Sequence, residues 1–228
     1  EESFDLLRQY DLEPVVFSPE FFRKLGHFAQ NHQIQLSIHL DLDTGMHRLG
    51  FEKQHLSELK SKIRDFPELK IASLYTHLVG ADESEHEEFS LFQLRLFLEM
   101  KSEVESVLDY KPLIHALNSA GIVRYPQFQM DMVRLGIGLY GVEVTGKFDV
   151  ALKPVSTLKT TISQVKTLEP GATVGYSRKG NLPHGGKIAT LAIGYADGYD
   201  RRFSQGKGYV LIHGKKAPVI GNVCMDMV

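Results

Sequence analysis

The chain has 228 residues, 43% hydrophobic and 24% charged, which is the balance of a folded globular protein and excludes disordered or collagen-like classes. Its single cysteine, Cys224, excludes an internal disulfide framework and points to a reducing, cytoplasmic compartment, while no apolar run approaches the roughly 18 residues that span a bilayer. The net charge of −2 hides a division: residues 1–110 carry 11 Lys+Arg against 21 Asp+Glu, and residues 111–228 carry 15 against 7.

In chain order, a short β-branched run at 15–17 is followed by a helix opening on Ser18-Pro19, where serine caps and proline suits the first turn. A strand at 34–40, a helix at 52–66 and a strand at 71–78 come next. The longest helix is predicted over 87–108, with Phe89, Phe92, Leu96, Met100, Val104 and Val107 on one stripe. Strands at 113–117 and 132–140 complete a strand-helix grammar that means a parallel sheet, open or closed into a barrel. An eight-unit barrel needs ~250 residues, so this stretch offers part of one; a doubly wound sheet of five strands fits the length equally well.

Beyond Gly141 and a short linker at 142–148 the helical period vanishes. Short, often alternating runs at 155–168, 173–177, 187–195, 209–213 and 218–224 are separated by Pro170-Gly171, His184-Gly185-Gly186 and Ala196-Asp197-Gly198. This is the text of an all-β domain. We place a partial barrel at 1–143 and a partial β domain at 144–228.

Reactive side chains of strand-helix folds collect where strands end. Asp41 and Asp43 with His47-Arg48 follow one strand, His77 the next, Asn118-Ser119 another, and Arg134 stands before Gly136 and Gly138. Asp43-Thr44-Gly45 matches the aspartic-protease triplet, but only one copy is present, and turn or cap roles serve Asp41 and Asp43 as well. His77 with Asp82, Glu83 and His86 fits no metal-ligand spacing, so no metal is expected. Ser119 suits a helix cap or an anion site at a helix N-terminus. Arg134, read as lying on a strand, needs an acceptor if buried, and the glycines beside it suggest close approach to the backbone. The basic residues of the second half stand singly or in pairs, such as Arg201-Arg202 and Lys215-Lys216, without the clustering of a nucleic-acid surface.

These stretches, in this order, resemble the alanine racemase family, pyridoxal-phosphate enzymes that interconvert L- and D-alanine for peptidoglycan precursors. The resemblance rests on Asp43-Thr44-Gly45-Met46-His47-Arg48-Leu49-Gly50, Thr76-His77-Leu78, Asn118-Ser119-Ala120, the run from Val133 through Arg134-Leu135-Gly136-Ile137-Gly138 to Gly141, Gly194-Tyr195-Ala196-Asp197-Gly198-Tyr199, and Val223-Cys224-Met225-Asp226. It implies a partial (β/α)8 TIM barrel followed by a β domain, and a head-to-tail homodimer for which the opposite charges of the two halves are suited. It also implies a two-base mechanism, with a Schiff-base lysine upstream of Glu1 and Tyr195 reaching the partner subunit's site. A free phenol titrates near pH ~10, so Tyr195 would work beside cations, for which His77 and Arg48 are at hand. Arg134 would donate to the cofactor's pyridine nitrogen; Ser119 with the backbone N–H groups of Gly136 and Ile137 would hold its phosphate; Arg48 and the main chain of Met225 would bind the substrate carboxylate.

Two positions depart from the pattern. Asp41 stands where many members have a carbamylated lysine paired with the arginine at Arg48, predicting contact between Asp41 and Arg48 directly or through water or an anion. Asn222 replaces a more usual arginine. The chain begins without Met and lacks the lysine motif, so it is expected to be a piece of a longer protein, inactive alone. The alternatives are a racemase of broader substrate range, the racemase half of a fusion with another cell-wall enzyme (a Mur ligase), and a non-catalytic barrel that binds pyridoxal phosphate.

Overall fold

The computed structural model describes residues 4–146 and 152–228. The opening Glu1-Glu2-Ser3 and the end of the linker at 147–148 lie outside the described residues. Two compact units divide at Ser156 and Thr157.

In the first unit a short helix α1 (Phe4–Gln9) leads to strand β1 (Val15–Val16), and helix α2 (Pro19–His32) follows. Ser18 caps α2, its hydroxyl accepting from the Phe21 N–H at 3.2 Å, and Pro19 takes the first helical position. Strand β2 (Leu36–Asp41), helix α3 (Leu56–Asp65), strand β3 (Leu69–Tyr75), helix α4 (Glu87–Glu105), strand β4 (Leu113–His115) and helix α5 (Ser119–Arg124) complete the series. The four strands pair in parallel and in sequence order. A doubly wound sheet reverses direction at a switch point; here every crossover steps the same way, the topology of a barrel wall.

One face of the sheet carries Leu36, Ile38, Leu40, Ile71, Leu74 and Ile114, buried beneath α2, α3 and α4 with Phe22, Leu25, Leu59, Phe97 and Met100. The register shifts where His39 pairs with Ser73 while Ile38 pairs with Ile71, so β3 gains one residue. Ile71 and Leu74, three apart, thus share the helix-covered face, and Ser73 and Tyr75 turn to the opposite one beside His39. The polar face of the sheet depends on this bulge.

The structure corrects several expectations. The segment 132–140 is no strand. Asp131 and Arg134 each donate one backbone bond to the β4 neighbourhood, at Ile114 and Leu117, and the chain then closes into a 3-10 turn (Ile137–Tyr140). Two bonds to one neighbour do not make a ladder, and Arg134 therefore lies on a loop. Asn118, not Ser119, caps α5, accepting from the Gly121 N–H at 3.0 Å. On α4 the buried face runs through Ser90, Gln93, Leu94, Phe97, Met100 and Val104, while Phe89 and Phe92 are exposed and stack on each other. Burial of polar Ser90 and Gln93 conceals the true face from an apolar count.

The second unit pairs β5 (Ile162–Leu168) with β8 (Gly186–Leu191), β6 (Ala172–Val174) with β7 (Gly180–Leu182), and β9 (Tyr209–Ile212) with β10 (Lys215–Pro218), all antiparallel. Strand β7 is not legible in the sequence, and the expected strands at 155–161 and 219–224 are irregular. Val165, Ile188, Leu191, Val210, Ile212 and Val219 help to line an apolar cavity of about 550 Å³ within this unit. No helix among the described residues is long and apolar enough to cross a membrane.

Candidate active site

The site is built where β2, β3 and β4 end. After β2 the chain folds back so that Leu42 bridges Phe51, and the Asp43 carboxylate accepts from the Gly45 N–H (2.9 Å), the His47 N–H (3.0 Å) and the His47 ring (2.9 Å). Burial opposes ionisation of Asp43, but these bonds outweigh it and hold the carboxyl below its usual range. Gly50, at φ +117°, packs so closely that a Cβ would lie 2.8 Å from the Asp43 nitrogen. Asp43 is therefore the organiser of this loop, the turn reading of its sequence. The loop leaves Arg48 exposed.

Beneath the loop, Thr44 and Thr76 share a hydrogen bond of 2.7 Å, and the fully buried Gln93 of α4 ties them to the next turn. Its amide donates to the Thr44 hydroxyl (3.4 Å) and the His77 carbonyl (3.2 Å), and its carbonyl accepts from the Val79 N–H (3.1 Å). This fixes the backbone on which His77 stands.

Arg134 is the centre of the cluster. Its Nη2 donates to the Thr76 carbonyl (2.7 Å) and the Ala116 carbonyl (3.3 Å) and lies 3.4 Å from His77 Nδ1, while Nη1 donates to His115 Nδ1. The guanidinium sits 4.9 Å from the centre of the Tyr75 ring, on which His115 stacks. Burial lowers the Arg134 pKa, and the charges of Tyr75 and Asp41 oppose it. Burial and then the Arg134 charge push the His115 pKa down to about 4, and the same two causes, with Arg48, lower that of His77. Both imidazoles are thereby held neutral beside a permanent cation.

Asp41 hydrogen-bonds the Tyr75 hydroxyl. Burial raises its pKa to about 6 against that bond and the nearby Arg134, and burial with the Asp41 charge raises Tyr75 to about 12. No ion pair joins Asp41 to Arg48 among the described residues, so the direct form of the expected contact is replaced by Asp41–Tyr75. An aspartate is too short to leave the strand end, and the phenol next to it meets its hydrogen-bonding demand.

With Asn118 serving as cap, the Ser119 hydroxyl accepts from the Gly136 N–H (2.9 Å) and the Gly138 N–H (3.1 Å). Ile137 opens the 3-10 turn between them. A Cβ on Gly136 would lie 3.6 Å from the Ser119 oxygen, and one on Gly138 3.5 Å from it. Backbone donors converging on a hydroxyl at a helix start suit a phosphate group. The donors-only Arg134 suits an aromatic nitrogen acceptor, and the residues present fit the cofactor the sequence implies.

Tyr195 and Met225 lie in the second unit. Tyr195 opens a 3-10 turn (Tyr195–Asp197), its side chain exposed, with its N–H donating to Cys224 (2.9 Å) and the Ala196 N–H to Met225 (2.8 Å). Gly194 permits this approach, since a Cβ there would lie 2.3 Å from the Cys224 and Met225 carbonyl oxygens. Asn222 is structural, bonding the Tyr176 carbonyl and the Gln205 amide. Glu83, Glu85 and His86 cluster on the surface, all exposed. Sequence reasoning missed Tyr75, His115 and Gln93; a tyrosine and a histidine interrupting apolar strands were the available signal.

The alanine racemase N-terminal domain model matches residues 1–144, and the C-terminal domain model matches 155–228. The chain belongs to the alanine racemase family. Similar members include the alanine racemase of Clostridium kluyveri, 38% identical over 97% of this chain and 57% of that protein, and the one of Methanococcus maripaludis, 35% identical over 99% and 61%. Among solved structures, the alanine racemase of Bartonella henselae with covalently bound pyridoxal phosphate superposes with a TM-score of 0.85 at 28% identity, over 100% of this chain and 61% of that one. The Bacillus anthracis alanine racemase with bound L-Ala-P gives 0.86 at 30%, over 99% and 58%. The chain thus spans about three fifths of the length of the alanine racemases it matches, and its fold is a partial TIM barrel with a β domain.

Proposed function

We propose that the protein racemises alanine with pyridoxal 5'-phosphate, supplying D-alanine for peptidoglycan precursors in the cytoplasm of a bacterium. Membership of the family supports the reaction class, and the observation that carries the reading for this chain is Arg134, half-buried, its guanidinium fixed by the Thr76 and Ala116 carbonyls and a neutral His115. The cofactor, when bound, supplies an electron sink for the bond from Cα to hydrogen. Arg134 remains protonated and offers donors alone, so it would hold the pyridine nitrogen as an acceptor without giving up a proton, which moderates the sink and disfavours transamination. Ser119 with the Gly136 and Ile137 N–H groups would hold the phosphate. His77, neutral and adjacent to Arg134, would face the ring; Arg48 and the Met225 main chain would bind the substrate carboxylate.

Racemisation needs a proton acceptor on each side of Cα. Tyr195 would serve one side through its hydroxyl, supplied by a second copy in a head-to-tail homodimer, and the Schiff-base lysine of the whole protein would serve the other. The partial barrel at 1–143 and β domain at 144–228 would divide these tasks. The decisive experiment adds pyridoxal phosphate and L-alanine to the full-length protein and measures D-alanine. Formation of D-alanine, largely lost in Tyr195→Phe, is expected; transamination or decarboxylation instead would overturn the reading. A panel of other L-amino acids separates it from a racemase of broader range.

A further inference from the structure

Four hydrogen bonds run laterally across the polar face of the sheet, away from the site. Beyond Arg134 and His115, the His115 Nε2 lies 3.0 Å from the Ser73 hydroxyl, which lies 2.6 Å from His39 Nδ1, and His39 Nε2 lies 2.9 Å from the Glu13 carboxylate. The register explains the alignment: His39 pairs with Ser73, Tyr75 with His115, and Val15, close to Glu13, with His39. Ser73 is fully buried and His115 nearly so, whereas the Glu13 side chain is 52% exposed.

The two ends dictate direction. Arginine has donors alone, so His115 Nδ1 must accept and its proton must sit on Nε2. That N–H donates to the Ser73 oxygen, and the serine hydrogen is left for His39 Nδ1. The His39 proton is then on Nε2 and goes to Glu13, an acceptor alone when ionised. Every donor meets an acceptor in this sense only. In the reverse sense His115 Nδ1–H would point at an Arg134 N–H, two donors face to face in a buried place.

We infer that Glu13, His39 and Ser73 are positioning residues that lock His115 in its Nε2–H tautomer and thereby aim the Arg134 guanidinium, from a carboxylate four hydrogen bonds away. The link from Arg134 to catalysis rests on the proposed function; the tautomer lock does not.

The test uses full-length protein with 15N-labelled histidine and arginine side chains. His115 should show the neutral Nε2–H signature near neutral pH, and Arg134 should show restrained, resolved Nη signals. Thermal melts check that each Glu13 variant keeps the fold: Glu13→Gln retains an acceptor and should leave the His115 and Arg134 signals in place, whereas Glu13→Lys offers only donors and should shift both. Ser73→Ala should mix the His115 tautomers, and Ser73→Thr, which keeps a hydroxyl, should restore one. An Nδ1–H signature for His115 in the unaltered protein, or identical His115 and Arg134 signals in Glu13→Lys and Glu13→Gln, overturns the inference. Failure to bind pyridoxal phosphate, read separately by absorbance, overturns the proposed function instead.

Discussion

Arg134 concentrates the chemistry of the first unit: a permanent cation against two imidazoles whose pKa values burial and its own charge depress. Replacing it with alanine removes the cation proposed to hold the pyridine nitrogen and should lower kcat by about a hundredfold or more, checked by steady-state racemisation of the full-length protein. Arg134→Lys should recover little, because one ammonium cannot reach two carbonyls and an imidazole at once. Asp41 gives a pH test. Its carboxyl rises from 3.8 to about 6, so between those values the folded state binds more protons than the unfolded one and stability falls as pH rises through that window. Asp41→Asn should therefore raise the unfolding midpoint at pH 8 relative to the parent and change it little at pH 4, as read by thermal melts. Equal shifts at both pH values would contradict the assignment.

Among the elements, α4 and the turn after β3 are joined through Gln93. Gln93→Leu keeps the volume and leaves the His77 carbonyl and Val79 N–H without partners, an expected loss of about 1–3 kcal/mol in denaturant unfolding. The Asn118 cap supports α5 and also donates to the Leu78 carbonyl at 3.2 Å, so Asn118→Ala should cost about 1–2 kcal/mol. These elements were legible to different degrees. Ser18-Pro19 announced α2 because a cap is a local device. The stripe on α4 misled at Phe89 and Phe92, since helix propensity does not say which face meets the sheet. Of the glycines at 136 and 138, only Gly138 is closely approached, a Cβ there lying 2.7 Å from the Leu135 side chain, and the segment holding both is a loop, because strand formation needs a neighbouring edge that local sequence does not reveal.

For the whole molecule, the acidic first half and basic second half favour a complementary homodimer on the proposed reading. Screening shortens to about 3 Å at 1 M salt from about 10 Å at 0.1 M, so dimerisation should weaken steeply over that range in sedimentation equilibrium. A salt-independent association would remove the electrostatic account.

The sequence alone determined the class of fold and the inventory of chemistry: strand-helix repetition, then turn-rich β text, with the reactive residues in ordered motifs. Those features are local in the chain, written in periodicity and spacing. Only the tertiary structure decided that the strands pair in sequence order, that a one-residue bulge in β3 turns Ser73 and Tyr75 toward His39, and that Asp41 meets Tyr75 while Arg48 acts on it by charge without a direct ion pair. Each depends on register between segments tens of residues apart, and register is fixed by packing and backbone pairing across the sheet, not by any one stretch of sequence.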